Sequence, residues 1–156
     1  GLCAPDDLAA ALEGLPARAR GLRVARIAVR LADPLAESPG ESLSRVRMWQ
    51  ARIPRPVLQK EIWTEAGMAR TDYFWPETVV KPHPVSEFDG EAKYHRETYG
   101  RATEETVLAE RRRERELWRL GYPVARWTWA DAWYGKGARM LAELAAVGVR
   151  PGAGRW

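Results

Sequence analysis

Three strand-like runs follow one another between residues 57 and 89 with no helical period between them, which commits the middle of this chain to a sheet. Val57-Leu58-Gln59-Lys60-Glu61-Ile62-Trp63 alternates as a strand does, and Glu65-Ala66-Gly67 supplies a turn. Arg70-Thr71-Asp72-Tyr73-Phe74-Trp75-Pro76 is a short aromatic strand closed by proline. Residues 79–89 form a third, ending in Val85-Ser86-Glu87-Phe88-Asp89. Lys81-Pro82-His83-Pro84 leaves the first half of that run irregular or at an edge, because proline cannot donate to a ladder.

Helical segments flank these strands. Residues 5–14 predict a short helix, with Pro5 at its start, acids in its first turn and Gly14 at its end. Residues 16–32 predict an Arg-rich helix whose arginines form either a solvated face or a phosphate-contacting flank. Asp33 to Gly40 is a punctuated turn. A helix then starts near Ser38–Glu41, with Ser38 as N-cap, Pro39 at the first helical position and Glu41 at capping-box spacing, and it runs to Gln50. Thr103 caps a long helix through Leu120 that Gly121 closes. Tyr122 to Trp129 is a fourth strand, Asp131 to Val147 a terminal helix, and Pro151–Trp156 a frayed tail. The order is helix, three strands, helix, strand, helix. It predicts an α/β or α+β sandwich around a four-stranded mixed sheet. Three parts follow: a helical segment at 1–33, the main domain at 34–147 and a tail at 148–156. The start at Gly1 rather than Met is read as a sign of further sequence upstream.

With 156 residues, 46% hydrophobic and 29% charged, the chain has enough apolar surface for one core without disulfides, and disorder, collagen and coiled coil are excluded. One cysteine, Cys3, excludes a disulfide framework and a cysteine-rich zinc site and favours the reducing cytoplasm. No apolar run is long enough for a transmembrane helix. A net charge of +4 permits a nucleic-acid partner without demanding one. The basic residues are mostly Arg, suited to phosphate forks and aromatic stacking. Of the eight Trp, residues 127, 129 and 133 are candidates for stacking on bases. Strand alternation sets Trp127 and Trp129 on one face and assigns at least two of these three to the core, together with Trp63 and Trp75.

Alternation also decides which acids can meet. Arg70, Asp72 and Phe74 share one face of their strand, and Val85, Glu87 and Asp89 share one face of theirs. If these strands pair, three carboxylates converge. Such a cluster needs a hard divalent cation such as Mg²⁺ or Mn²⁺, or else lies on a wet face with Asp72 starting a turn. On the long helix, Glu110, Arg113 and Glu114 project to the same side as Val107, Leu117 and Leu120. Glu110 and Arg113 then form either a simple i,i+3 pair or a flank that orients the acidic cluster.

Thr71-Asp72-Tyr73-Phe74-Trp75-Pro76 followed by Glu87-Phe88-Asp89-Gly90-Glu91-Ala92-Lys93-Tyr94 resembles the PD-(D/E)xK restriction-endonuclease-like superfamily, nearest to its very-short-patch-repair branch. Glu37-Ser38-Pro39-Gly40-Glu41-Ser42, Ala109 to Glu114, and Val124-Ala125-Arg126-Trp127-Thr128-Trp129-Ala130-Asp131 extend the resemblance over about residues 33–133. Together they look like an actinobacterial family described as type IV toxin–antitoxin antitoxins of the AbiEi kind. In that family a DNA-binding winged helix commonly precedes this region.

The resemblance implies a restriction-endonuclease-like αβββαβ core. It makes Glu41 the helical acid, Asp72 the first strand acid and Glu87 the second. The lysine expected two residues after Glu87 is replaced by Asp89, and Lys93 is its substitute. Asp72, Glu87 and Asp89 are the implied ligands of Mg²⁺ or Mn²⁺. Lys93 would stabilise charge on a phosphate, with Arg113 and Arg126 as further nucleic-acid contacts and His95 as a proton carrier or a solvated loop residue. Two functions follow: a metal-dependent DNA endonuclease, or a catalytically inactive nuclease-fold module of an antitoxin-like regulator that binds DNA or a cognate toxin.

Overall fold

The computed structural model describes residues 5–90, 112, 115–152 and 156. The chain divides into two units, Gly1–Leu35 and Ala36–Trp156.

The first unit holds α1 (Pro5–Glu13) and α2 (Leu22–Leu31). Asp6 and Asp7 sit in the first turn of α1, where the helix dipole favours negative charge. Helix α2 begins six residues later than the sequence pattern suggests. Gly21 precedes it with a φ of 82°, a left-handed turn conformation, and the segment before it stays outside the helix.

The second unit is a mixed α/β structure. Helix α3 (Pro39–Gln50) leads into strands β1 (Val57–Thr64), β2 (Gly67–Phe74) and β3 (Val85–Asp89). Residues 115–119 are helical, and β4 (Val124–Thr128) follows. Among the described residues the strands form one sheet in the order β1-β2-β3-β4. The pairs β1–β2 and β2–β3 are antiparallel, while β3–β4 is parallel. The parallel pair needs a crossover, and the helical residues 115–119 lie within it.

Beyond β4 the expected single helix is broken. Thr128 ends the strand and caps a short α4 (Trp129–Trp133). Its side chain accepts the Asp131 N–H, while the Asp131 carboxylate accepts the Thr128 N–H at 2.9 Å. A tight turn at Tyr134–Gly137 then separates α4 from α5 (Ala138–Ala146). Gly135, Lys136 and Gly137 all take positive φ, which no α-helix sustains. The Gly-Lys-Gly triplet was the sequence signal for this break. Trp129 therefore lies on a helix, stacked on Trp133 with centroids 5.5 Å apart, and does not share a strand face with Trp127.

Both faces of the sheet are covered. Tyr73, Ala125 and Trp127 on one face join Met48 of α3 and Met140 and Leu144 of α5 in the main core. The buried aromatics find acceptors for their polar atoms, which keeps burial affordable. The Tyr73 hydroxyl donates to the Glu41 carbonyl, Trp75 Nε1 to the Pro54 carbonyl, and Trp127 Nε1 to Ser44 Oγ. On the other face Val85 and Leu117 form a smaller cluster, packed by Phe74, Tyr122 and Val124.

Several residues depart from expectation. Trp63 is 77% exposed, and Leu120 is exposed where Leu117 is buried. The tail is anchored at its end. Val149 is fully buried, and Trp156 donates to the Ile53 carbonyl at 2.8 Å while its ring lies under the Arg45 guanidinium. A terminal Trp and a buried Val supply enough apolar area to hold a segment that has no helical or strand period.

Two close fits lock α3 onto the sheet. The helix ends at Arg52, whose φ of 59° lets the Ile53 N–H reach back to the Met48 carbonyl at 2.9 Å. At its other end Gly40 lies flat on Phe88, and a Cβ at residue 40 would stand 2.0 Å from Phe88 Cζ. Replacing Gly40 by Ala, a better helix former, is therefore expected to destabilise the protein by about 1–3 kcal/mol through overpacking. Urea unfolding tests this, and a Gly40→Ala variant as stable as wild type would show that the Phe88 ring moves aside freely.

Candidate functional site

The site is the face of the sheet on which β2, β3 and β4 carry their charged residues. Tyr73 pairs with Ser86 and Phe74 with Val85, and there the β2–β3 ladder ends. One more step in the same register would set Asp72 opposite Glu87. Instead the strands diverge, and the Asp72 carboxylate accepts the Phe88 N–H at 2.7 Å, replacing a backbone partner. Strand β3 continues alone beside β4. Glu87 stands next to Arg126 in the parallel register, and Asp89 next to Thr128.

Asp72, Glu87 and Arg126 therefore share one side of the sheet, as alternation requires. The carboxylate Oε2 of Glu87 accepts a hydrogen bond from the Arg126 guanidinium at 2.5 Å. Both side chains are largely removed from water, at 18% and 30% exposure, where such a charged bond is strong. Asp89 is half-buried at the end of β3.

Glu41 stands at the start of α3, and its carboxylate serves the helix end. Oε1 accepts from the Ser38 hydroxyl at 2.7 Å. Oε2 accepts from the Glu37 N–H at 2.9 Å and from Gln59 Nε2 at 3.3 Å. The capping-box spacing had offered this structural role. Lys93, His95, Glu110, Arg113 and Glu114 lie outside the described residues.

Two residues near this face were not singled out from the sequence. Gln59 takes a φ of 51° in the middle of β1. Leu58 joins the main core while Ile62, four residues on, joins the other cluster, so the strand changes sides across this irregularity. Lys60 stands over the Phe74 ring with its Nζ 5.8 Å from the centroid, which adds a cation beside the face that bears Asp72. Neither feature has a local signature, because both follow from the register of β1 on β2.

Burial holds the Tyr73 phenol well above the ordinary tyrosine range, and the negative charges of Glu41 and Asp72 push the same way against the hydrogen bond from Ser44. The Thr128 N–H holds the Asp131 carboxyl below its usual value, helped by the Thr128 hydroxyl and the charge of Arg139.

Mg²⁺ or Mn²⁺ would need several carboxylate oxygens turned to a common point. Asp72 is directed to a backbone N–H, Glu87 to a guanidinium and Glu41 to a helix terminus. Among the described residues no three His, Cys, Asp or Glu side chains form a group able to hold a metal ion. As placed, these residues do not fit a divalent ion. Comparisons with protein-family models, with curated proteins and with solved structures give no match.

Three measurements follow from this geometry. Arg126→Met is expected to destabilise the protein by about 1.5–3 kcal/mol, the worth of a charged hydrogen bond, and adding Glu87→Gln to recover part of that loss. A double-mutant cycle in urea reads the coupling, and additive effects would mean that the pair contributes nothing. Thr128→Ala is expected to cost about 1 kcal/mol as a lost helix cap. The Asp131 contribution has the opposite pH sense to a base. Its folded pKa is depressed, so its contribution is complete above the unfolded value of about 4 and is lost as pH falls through the folded one. The stability gap between wild type and Asp131→Asn should therefore close in acid, and a gap constant down to pH 2 would contradict this.

Proposed function

We propose that this chain is a restriction-endonuclease-like module that binds DNA and does not cleave it. The observation that carries this reading is the Glu87–Arg126 pair: the charge that a divalent ion would neutralise is already neutralised by a side chain of the neighbouring strand. The order of elements supports the nuclease-like fold. A helix, an antiparallel three-strand meander and a fourth strand parallel to the third match the core that the sequence resemblance implies. Fold alone does not carry chemistry, so the site decides between binding and hydrolysis.

Arg126 is then an internal counter-ion as well as a candidate phosphate contact, and Lys93 and Arg113 remain candidate contacts on the sequence resemblance. An antitoxin-like regulator is the natural setting, with a cognate toxin as the second partner and the cytoplasm as the proposed compartment. No helix among the described residues is long and apolar enough to cross a membrane.

Metal-dependent DNA cleavage with Mg²⁺ or Mn²⁺ is the second reading. It is favoured by the position of Asp72 and Glu87, on one side of the sheet where β2 and β3 part. It requires Glu87 to leave Arg126 and Asp72 to release the Phe88 N–H, with Asp89 as third acid and Lys93 as the displaced lysine.

Supercoiled plasmid with Mn²⁺ separates the two. Binding without hydrolysis predicts no nicking by wild type, Asp72→Ala or Glu87→Ala. It also predicts duplex affinity that falls steeply with salt, with a slope of about −0.9 per phosphate contact. Mn²⁺-dependent nicking by wild type that either substitution abolishes would establish the nuclease instead. Absence of duplex binding at low salt would point to the protein partner.

A further inference from the structure

In the second unit, Arg70, Arg119, Arg126 and Arg139 each pair with a carboxylate. The first unit concentrates its arginines in one short run. Residues 16–31 contain five arginines and no acid. Arg18, Arg20, Arg23 and Arg26 are exposed. None of these four makes an ion pair with another of the described residues.

Their placement runs against the stability of α2 itself. Arg23 lies in the first turn, where the helix dipole disfavours a cation, and no acid stands there to offset it. Arg23 and Arg26 are three residues apart, and Arg26 and Arg30 four, so like charges neighbour each other along one stripe. Gly21 caps the helix without a side-chain bond. The stripe borders an open cleft of about 660 Å³ that Arg18, Arg23, Arg26 and Arg30 line. Arg23 and Arg26 thus stand together, exposed and without an acid in their stretch of chain.

We propose that the arginine face of α2 is a phosphate-backbone contact surface for duplex DNA. The inference rests on the DNA-binding reading above and places a contact surface outside the sheet. A membrane surface fits less well, because an interfacial helix keeps its large apolar residues available for lipid, whereas Leu22 and Leu31 of α2 are buried, Ile27 and Val29 are half-buried, and Val24 alone of these is exposed. Duplex DNA fits because its phosphates are regularly spaced and its major groove admits a helix. The deep, narrow major groove of A-form RNA does not.

The test is fluorescence anisotropy of a labelled 20-base-pair duplex with the full chain, between about 50 and 200 mM salt. Arg23→Gln/Arg26→Gln is expected to weaken binding at least tenfold at low salt and to reduce the salt slope by about 2. The substitution removes like-charge repulsion, so the thermal midpoint should stay level or rise. Arg23→Lys/Arg26→Lys should keep most of the slope. Unchanged affinity and slope in a folded Gln variant, with wild type binding the duplex, would overturn this surface and leave DNA binding to other residues. Wild type that binds no duplex would overturn both. Stronger binding to anionic vesicles or double-stranded RNA than to duplex DNA would overturn the choice of partner.

Discussion

Where β2 and β3 separate, the Asp72 carboxylate takes the Phe88 N–H that a backbone carbonyl would otherwise have accepted, and the arrangement of the charged face follows from that bond. A buried or half-buried N–H without an acceptor costs free energy comparable to a lost hydrogen bond. By satisfying it, Asp72 lets β3 leave its antiparallel neighbour and run on beside β4. The parallel register then sets Glu87 against Arg126.

The same use of polar side chains as backbone partners recurs through the second unit. Glu41 serves the start of α3, Asp131 serves the start of α4, and the Ser44 hydroxyl donates to the Gly40 carbonyl. Two of the acids that attract attention in the sequence, Asp72 and Glu41, are thus employed in holding the chain. The face they leave is one of compensated charge, in which Arg126 plays the part of a cation fixed by the fold. On the binding reading proposed above, such a face serves recognition of phosphate rather than activation of water, since a guanidinium can exchange one oxyanion for another but cannot lower the pKa of a bound water as a metal does. The first unit contrasts with this. Its exposed arginines of α2 lie in a stretch without acids.

Much of the fold was legible. The run of three strands, the helix from Pro39, the closing Gly121 and the proline-broken approach to Val85 all follow from local propensity and periodicity, which need no partner to be read. The misreadings share a cause. The Gly135-Lys136-Gly137 triplet breaks the segment read as one terminal helix, although the Ala and Leu residues after it continue a helical pattern. Trp129 was assigned to a strand because the Thr128–Asp131 capping pair went unread. The tail was dismissed because one Trp and one Val do not make a period, although each fills a place in the core.

The sequence by itself determined which residues are extended, which are helical, and that Asp72, Glu87 and Asp89 fall on matching faces of their strands. Alternation and capping are properties of a few adjacent residues. Only the tertiary structure decided that β2 and β3 part at Asp72, that β4 joins in parallel, and that a guanidinium meets Glu87. Strand register and divergence depend on hydrogen bonds between residues far apart in the chain, and the physical character of a carboxylate depends on what stands opposite it.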